Sequence, residues 1–440
     1  LQTKHPVDQM LPTGQLFLYG LQHVLAMYAG AVAVPLIIAG AAHLTKAETA
    51  FLINADMFTC GIATLIQTLG FWKLGIRLPV IQGVSFAAVA PMVIIARSMG
   101  MEAVYGAVIV AGLIAFFLAP YFSKLLHFFP PVVTGSVITI IGISLLPVGV
   151  EWAAGGTGNA NYGALTNLFI AGIVLLAILL IQKYFKGFIA NISVLLGLFI
   201  GMLIAIPLGL VNFSGVTTAP WLGIDRPFYF GFPRFDWGAI GAMILVMLVT
   251  MVESTGDFLA LGEIVGKQID EEDLARGLRG DGFATMLGGV LNAFPYTAFA
   301  QNVGLVGLSG VKSRFVVATS GIILVALGLF PKLATLIASI PYAVLGGAGI
   351  AMFGVVAANG IKTLSRVDFE NNPHNIFIVA ISIGVGLIPM VAPDFFKMFP
   401  AWSQIILHSG ITLGSLTAII LNIFFNYPNS LTLYKKSFTN

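Results

Sequence analysis

The sequence predicts an all-α polytopic membrane protein of 14 spans, built as a 7+7 inverted repeat with a short extended strand at a broken span in each half. Three observations predict it. The chain is 58% hydrophobic and only 9% charged, its apolar blocks recur from residue 16 to residue 426, and landmarks of the first half return in the second. A mean hydropathy of +0.98 lies far outside the range in which a soluble domain covers itself with polar surface. The bilayer is therefore the solvent, and residues 1–440 form a single integrated transmembrane domain. The first apolar run is long and lacks a small-residue cleavage site, so it is expected to be a span rather than a removable signal. Cys60, the single cysteine, lies in an apolar block, which excludes a disulfide framework or a cysteine metal site.

A crossing takes about 20 residues, and spans are expected near 16–40, 49–70, 79–97, 103–121, 131–149, 164–182, 188–211, 238–259, 282–294, 297–308, 314–331, 333–357, 375–393 and 402–426. With the N-terminus in the cytoplasm, 15 of the 21 basic residues fall inside, Lys4, Lys435 and Lys436 on the tails among them. Only Lys46, Arg97, Arg226, Arg234, Lys332 and Lys397 fall outside. The positive-inside rule thus favours an even number of crossings with both ends cytoplasmic.

Three of these spans do not look like simple helices. The third, "LPVIQGVSFAAVAPMVIIA", carries Pro79 and Pro91 around the polar patch Gln82-Gly83-Val84-Ser85. The ninth and tenth are each too short to cross alone and meet at Pro295. Broken backbone survives at membrane depth only where protein or a wet cavity satisfies it. Ser85 to Ala87 and Phe299 to Gln301 are therefore expected as short strands, each leading into a half-helix whose N-terminal amides face a ligand. "FPPVVTG" at 129–135 matches "IPYAVLG" at 340–346 with an offset of 211, and Ser85 matches Gln301 with an offset of 216. A seven-span unit used twice must be inverted, because its second copy enters from the opposite side.

Ionisable residues are costly in hydrocarbon and mark function by default. Glu253 and Asp257, four apart in "VTMVESTGDFLALGE", share one face of span eight and either form a pair able to carry a coupling proton, or Asp257, near the cytoplasmic end, simply pairs with a basic loop residue. Asp281 opens span nine in "LRGDGFATM", either as a helix cap or as a carboxylate exchanging protons with a cavity. His23, early in span one, is either a ligand-organising donor or a satisfied core histidine. Asp56 and His408 have no partner visible in the sequence and are expected to make structural hydrogen bonds. The mixed charges of 262–280 are expected in a solvated loop or helix, and the glycines of "LGGAGIAMFG", 345–354, serve helix packing.

"QNVGLVGLSG", 301–310, resembles the signature of the nucleobase-ascorbate transporter family, the nucleobase-cation symporters of the second type. That pattern is Gln, Glu or Pro, then Asn-x-Gly, four variable residues, Thr, then Arg, Lys or Gly. Gln301, Asn302, Gly304 and Gly310 fit it, while Ser309 stands where the family has Thr. The similarity extends to "GLQHVLAMYAGAVAVPL", "ESTGD" and "DG", and so covers essentially the whole chain. The branch it looks most like is that of bacterial urate and xanthine permeases.

The resemblance implies a core of spans 1–4 and 8–11 (16–121 and 238–331), a gate of spans 5–7 and 12–14 (131–211 and 333–426), and a homodimer in the cytoplasmic membrane. It implies that Glu253 binds substrate, Gln301 reads the base, Asn302 supports it and Ser85 tunes which purine fits. His23, Asp257 and Asp281 match positions tied to coupling or site organisation. Phe86 or Phe299 is expected to flank the flat ring, with the amides around Ser85, Phe86 and Phe299 meeting its carbonyls. The expected activity is proton-coupled uptake of oxidised purines, the core moving elevator-like against the gate. No cofactor beyond the coupling proton, no metal and no nucleic-acid partner are expected.

Two rivals frame this reading. A sulfate-transporter-type anion carrier shares the inverted architecture but should avoid a carboxylate at its site. An intramembrane serine protease is the enzyme alternative, through "GLSG" at 307–310 with His408 as base, a four-residue match in a glycine-rich chain.

Overall fold

In the first half of the chain, helix boundaries follow local chemistry. A computed structural model describes residues 5–125, 128–224 and 226–437; Lys4 lies outside the described residues. Helix α1 (Thr13–Ala41) starts directly after the extended residue Pro12. Helix α2 (Lys46–Leu69) is opened by a reciprocal Thr45–Glu48 capping box and closed by Gly70 at φ +72°, where a side chain would be strained. Strand β1 (Gln82–Val84), a 3-10 turn (Phe86–Ala88) and α3 (Val89–Met99) make up the third segment. Then come α4 (Met101–Leu118), the short α5 (Phe122–Leu125), α6 (Pro131–Ala153), α7 (Leu165–Tyr184), the short α8 (Phe188–Asn191) and α9 (Ser193–Ala205).

The second half repeats the order. Helix α10 (Trp237–Val265) is capped by the Asp236 carboxylate and α11 (Glu271–Val290) by that of Asp270. Strand β2 (Tyr296–Ala298) leads into α12 (Ala300–Ser309). Next are α13 (Arg314–Gly328), α14 (Pro331–Ile337), α15 (Tyr342–Leu364), α16 (His374–Val391), α17 (Ala401–Leu407) and α18 (Gly410–Ser437). Among the described residues, eight helices are long and apolar enough to cross a bilayer, and α13 with α14, bent by 85° at their junction, raises this to nine.

Three expectations about boundaries are corrected. The strands lie three residues earlier than expected, at 82–84 and 296–298, because the residues after them already wind into helix: Phe86 opens the 3-10 turn and Ala300 opens α12. The ninth segment is not short. Helix α11 begins at Glu271, where Asp270 satisfies the free amides and the acidic first turn suits the helix dipole. Asp281 is consequently a buried mid-helix residue and not a cap, and of the stretch 262–280, expected as a solvated loop or helix, 262–265 and 271–280 are helical. Finally, the twelfth segment starts at Tyr342 and not near 333, because Pro331 and Pro341 each begin a separate helix.

Packing joins the halves. Helix α6 lies on α15, α2 on α13, and α4 on α11. The α6–α15 crossing is lined with glycine on both sides. Gly135 faces Leu364, Gly142 faces Ala357 and Gly149 faces Ile350, while Gly346 faces Ala153 and Gly360 faces Thr139. A methyl group at Gly142, Gly346 or Gly360 would overlap the opposing backbone, so these backbones touch without intervening side chains.

Candidate functional site

Between α3 and α12 the two halves meet through hydrogen bonds. β1 and β2 pair antiparallel, Gln82 opposite Ala298, Gly83 opposite Thr297 and Val84 opposite Tyr296. Ser85 N–H donates to the Pro295 carbonyl (2.9 Å) and Phe299 N–H to the Ile81 carbonyl (3.1 Å), extending the ladder at both ends. Gly83 is required here, because the Phe299 ring occupies the space its side chain would fill.

Side chains from the surrounding helices hold the strands. Ser254 of α10 shares a hydrogen bond with Thr297 (3.0 Å) and accepts the Ala298 N–H (3.2 Å). Thr285 of α11 accepts the Tyr296 N–H (3.1 Å), and Thr64 of α2 accepts that of Gln82 (3.0 Å). The Cys60 thiol donates to the Gln82 carbonyl (2.7 Å). The Tyr296 hydroxyl donates to Asp56 Oδ1 (2.8 Å), which gives Asp56 the partner its sequence position did not reveal. Ser85 Oγ lies 3.2 Å from Thr250 Oγ1.

What the strand pair leaves unused defines the site. Neither half-helix start has a side-chain cap. The Ser85 and Phe299 amides are occupied by the ladder; among the described residues, the N–H groups of Phe86, Ala87, Ala300 and Gln301 are the ones left free. Two uncapped helix N-termini bring partial positive charge to one crossing. Gln301 is exposed and Glu253 half-buried, and no protein group bonds either side chain among the described residues. Phe86 and Phe299 both reach Gly30 of α1, whose missing side chain makes room for the two rings, and Phe86 also meets Phe353 of α15 edge-on at 6.2 Å.

Asn302 turns inward. Its Nδ2 donates to the His23 carbonyl (2.9 Å) and contacts His23 Nδ1 (3.1 Å). Because a carbonyl only accepts, the amide orientation is fixed, so Nδ1 must also accept and the neutral ring carries its proton on Nε2. Asn302 therefore organises the histidine rather than lying beside Gln301 in an open site.

Deeper still, Gln67 Nε2 donates to Asp281 Oδ1 (2.6 Å) and to the Gly277 carbonyl (2.7 Å), while Glu253 and Asp281 both act electrostatically on Asp257. Glu253 and Asp257 lie on α10 and Asp281 on α11. In the signature, Gly310 closes α12 at φ +68° and Ser309 Oγ accepts the Val311 N–H (3.2 Å). The Ser309 hydroxyl serves this turn, and among the described residues no hydrogen bond joins it to His408.

Sequence reasoning missed Gln67, Thr250, Ser254 and Tyr296 as parts of this assembly. Ser254 stood inside the quoted "ESTGD", and its polarity on the carboxylate helix was the available signal. Gln67, at the polar end of an apolar span, gave a weaker one.

Comparison with known proteins supplies the remaining evidence. Residues 14–395 match a family model described as "Permease family", the xanthine/uracil permeases. The chain is 51% identical over 435 residues to the uric acid transporter UacT of Escherichia coli (strain K12), covering 98% of this chain and 90% of that one. It is 48% identical over 413 residues to the xanthine permease of Bacillus subtilis (strain 168), covering 94% of each. Among solved structures, the transmembrane domain of a cyanobacterium bicarbonate transporter, BicA, superposes with a TM-score of 0.59 at 16% identity, over 94% of this chain and 99% of that one. At that identity the likeness concerns the fold alone.

Proposed function

This chain belongs to the nucleobase-ascorbate transporter family, whose named relatives are permeases and not enzymes, and from that premise we propose that it carries oxidised purines, urate or xanthine, across the cytoplasmic membrane with a coupling proton. It is a multi-pass membrane protein. The observation that carries the reading is one crossing where, among the described residues, Glu253 and Gln301 have no protein hydrogen-bond partner and the four main-chain N–H groups of 86, 87, 300 and 301 have none either.

The chemistry fits an oxopurine. Such a ring presents alternating N–H donors and C=O acceptors on its edge. Glu253 accepts ring N–H groups, the Gln301 carboxamide both donates and accepts, and the free amides of 86, 87, 300 and 301 donate to ring carbonyls. Phe86 and Phe299 supply apolar faces to the flat ring. Ser85 is buried against Thr250, so it tunes the pocket by holding α10 at its distance from the strands.

The finer architecture belongs to the same reading. Supporting the 14-span inverted repeat, the pairing of segments maps onto itself under a shift of seven: α2 with α13 corresponds to α11 with α4, α1 with α13 to α10 with α4, and α7 with α15 to α16 with α6. The aligned Pro130 and Pro341 each precede a helix of 23 residues. Core and gate are then two packed bodies, and movement of the first against the second exposes the strand crossing to either side. Protonation of the Glu253, Asp257 and Asp281 cluster favours loading, and inward release returns the proton to a cytoplasm that holds both termini. The homodimer completes the proposal, with the sparsely covered faces of α7 and α16, each 22% buried, left to lipid or a second copy.

Uptake of labelled urate and xanthine into vesicles with an imposed pH gradient tests the whole. Accumulation that a protonophore collapses is expected, and accumulation indifferent to it would defeat the coupling. An anion carrier on this fold is opposed by the Glu253 carboxylate at the crossing.

A further inference from the structure

The connection from α9 to α10 joins the two halves of the chain, and most of it is bound to one body only. Its first part, 206–211, makes only local hydrogen bonds: Gly209 N–H donates to the Ile206 carbonyl (3.0 Å) and Leu210 N–H to that of Ala205 (3.2 Å). Gly209 sits at φ +68° with nothing within 4 Å of the side chain it lacks.

From Asn212 onward the chain is fastened. Lys46, at the start of α2, donates through Nζ to the carbonyls of Asn212 (2.6 Å) and Ser214 (2.8 Å). Gly223 N–H donates to the Leu329 carbonyl just after α13 (3.1 Å), and Phe228 N–H to that of Val290 at the end of α11 (3.1 Å). Arg234 N–H donates to the Glu102 carbonyl in α4 (2.9 Å), and its Nη2 to that of Met99 in α3 (3.0 Å). Tyr229 stacks on Phe51 of α2 with ring centroids 4.0 Å apart, and Phe230 lies 6.0 Å from both Phe51 and Tyr105.

Asn292, in the turn between α11 and β2, closes the fastening and is fully buried. Its Oδ1 accepts the Tyr229 N–H (2.9 Å) and its Nδ2 donates to the Arg226 carbonyl (2.8 Å), while its own carbonyl accepts the Tyr105 hydroxyl (3.3 Å). Asn292 at φ +63° and Phe228 at φ +54° both hold left-handed backbone, which residues other than glycine keep where surrounding contacts impose it.

These partners all lie on α2, α3, α4, α11 and α13 or the turns beside them, which are segments of the core. Among the described residues, no hydrogen bond or ring contact joins 212–236 to α6, α7, α15, α16 or α18. We infer that 212–236 is a strap fixed to the core and buckled at Asn292, so that movement of the core against the gate is taken up in 206–211. Breaking a set of directional bonds costs more than turning a short stretch that has only local ones. The hinge rests on the core and gate proposed above, whereas the fastening does not.

Hydrogen exchange in lipid nanodiscs tests the fastening without substrate. Amides of 226–235 are expected to exchange at least about tenfold more slowly than those of 206–211, and Asn292→Gly, which keeps the left-handed backbone accessible, should erase that difference. Equal rates in wild type, or a variant like wild type, overturn the strap.

Cross-links test the hinge. Phe51→Cys with Tyr229→Cys, bridged by a short bis-maleimide, ties strap to core; Gly40→Cys with Tyr342→Cys ties α1 to α15, where the Tyr342 hydroxyl approaches Gly40. Cys60 is buried and stays out of the reaction. Each protein is compared with itself before linking: purine exchange should stay within about twofold in the first and fall at least about tenfold in the second, as expected of one rigid body and of two moving ones. Loss of exchange in the first overturns the strap. Full exchange in the second defeats the core and gate reading and the hinge with it, and hydrogen exchange still decides the fastening. If wild type exchanges no purine, the proposed function fails and hydrogen exchange alone decides. Should Asn292→Gly not fold, the wild-type rates and the cross-links remain decisive.

Discussion

At the α6–α15 crossing five glycines face the opposing helix, and at Gly142, Gly346 and Gly360 its backbone lies directly against them. At the β1–β2 crossing the same two halves meet through a three-residue ladder, with free amides, an exposed glutamine and a half-buried glutamate around it. Both junctions bring the first half of the chain against the second, and each uses glycine for close approach, at Gly83 to admit the Phe299 ring. They differ in what is done with the polar groups. In the first, the facing segments are continuous helices whose main-chain groups bond within the helix. In the second, the helices are broken, and the freed N–H groups are costly unless something accepts from them. The first crossing has the features of a structural joint, and the second those of the purine site proposed above.

Substitutions can break that contrast, beginning where the effect should be greatest. Gly346→Leu drives a side chain into the Ala153 backbone; overpacking of this kind costs about 1–3 kcal/mol or more, and loss of monodisperse, heat-stable protein is expected in detergent. Gly304→Ala, with nothing within 4 Å of the new methyl, is the control and should melt like wild type. Equal stability of the two variants would sink the idea that the α6–α15 contact is backbone on backbone.

Glu253→Gln should leave the fold intact and weaken purine binding. Hydrogen bonds to a charged group are worth about 1.5–3 kcal/mol, or about 10- to 100-fold in Kd. Calorimetry showing wild-type affinity would remove Glu253 from the substrate. Asn302→Leu strands the His23 carbonyl and Nδ1, and an orphaned buried group costs about 1–3 kcal/mol; a tenfold loss of affinity, on the order of 1.4 kcal/mol, with unchanged selectivity, is expected in a purine panel. Gln301→Glu sharpens the same panel by shifting preference from oxopurines toward uracil, and an unaltered ranking counts against base reading by Gln301. The smallest effect belongs to Thr250→Val, which removes the Ser85 Oγ partner and should change affinity by about three- to tenfold, in line with one neutral hydrogen bond of about 0.5–1.5 kcal/mol.

Much of the candidate site was legible in the sequence because polarity is conspicuous against hydrocarbon. Glu253, Asp257, Asp281, Gln301 and His23 stand out in apolar runs, and Pro295 and the QGVS patch mark the breaks. What could not be read was which polar groups are already spent. The Ser85 and Phe299 amides looked available, yet the ladder takes both, because pairing between segments about 210 residues apart leaves no local trace. Asp281 looked like a helix start, because the charged turns of α11 before it resemble loop composition.

By itself the sequence determined that the chain lives in a bilayer and which side chains carry charge into apolar segments, since burying charge or breaking a helix in hydrocarbon is expensive enough to leave a mark on composition. Only the tertiary structure decided which residues satisfy one another: that Asn302 fixes the His23 tautomer, that Asp56 holds Tyr296, that Gln67 engages one oxygen of Asp281 and that Thr64 and Cys60 hold the Gln82 main chain. Hydrogen bonds are short and directional, so partnership depends on positions set by the whole packed chain rather than on residue type.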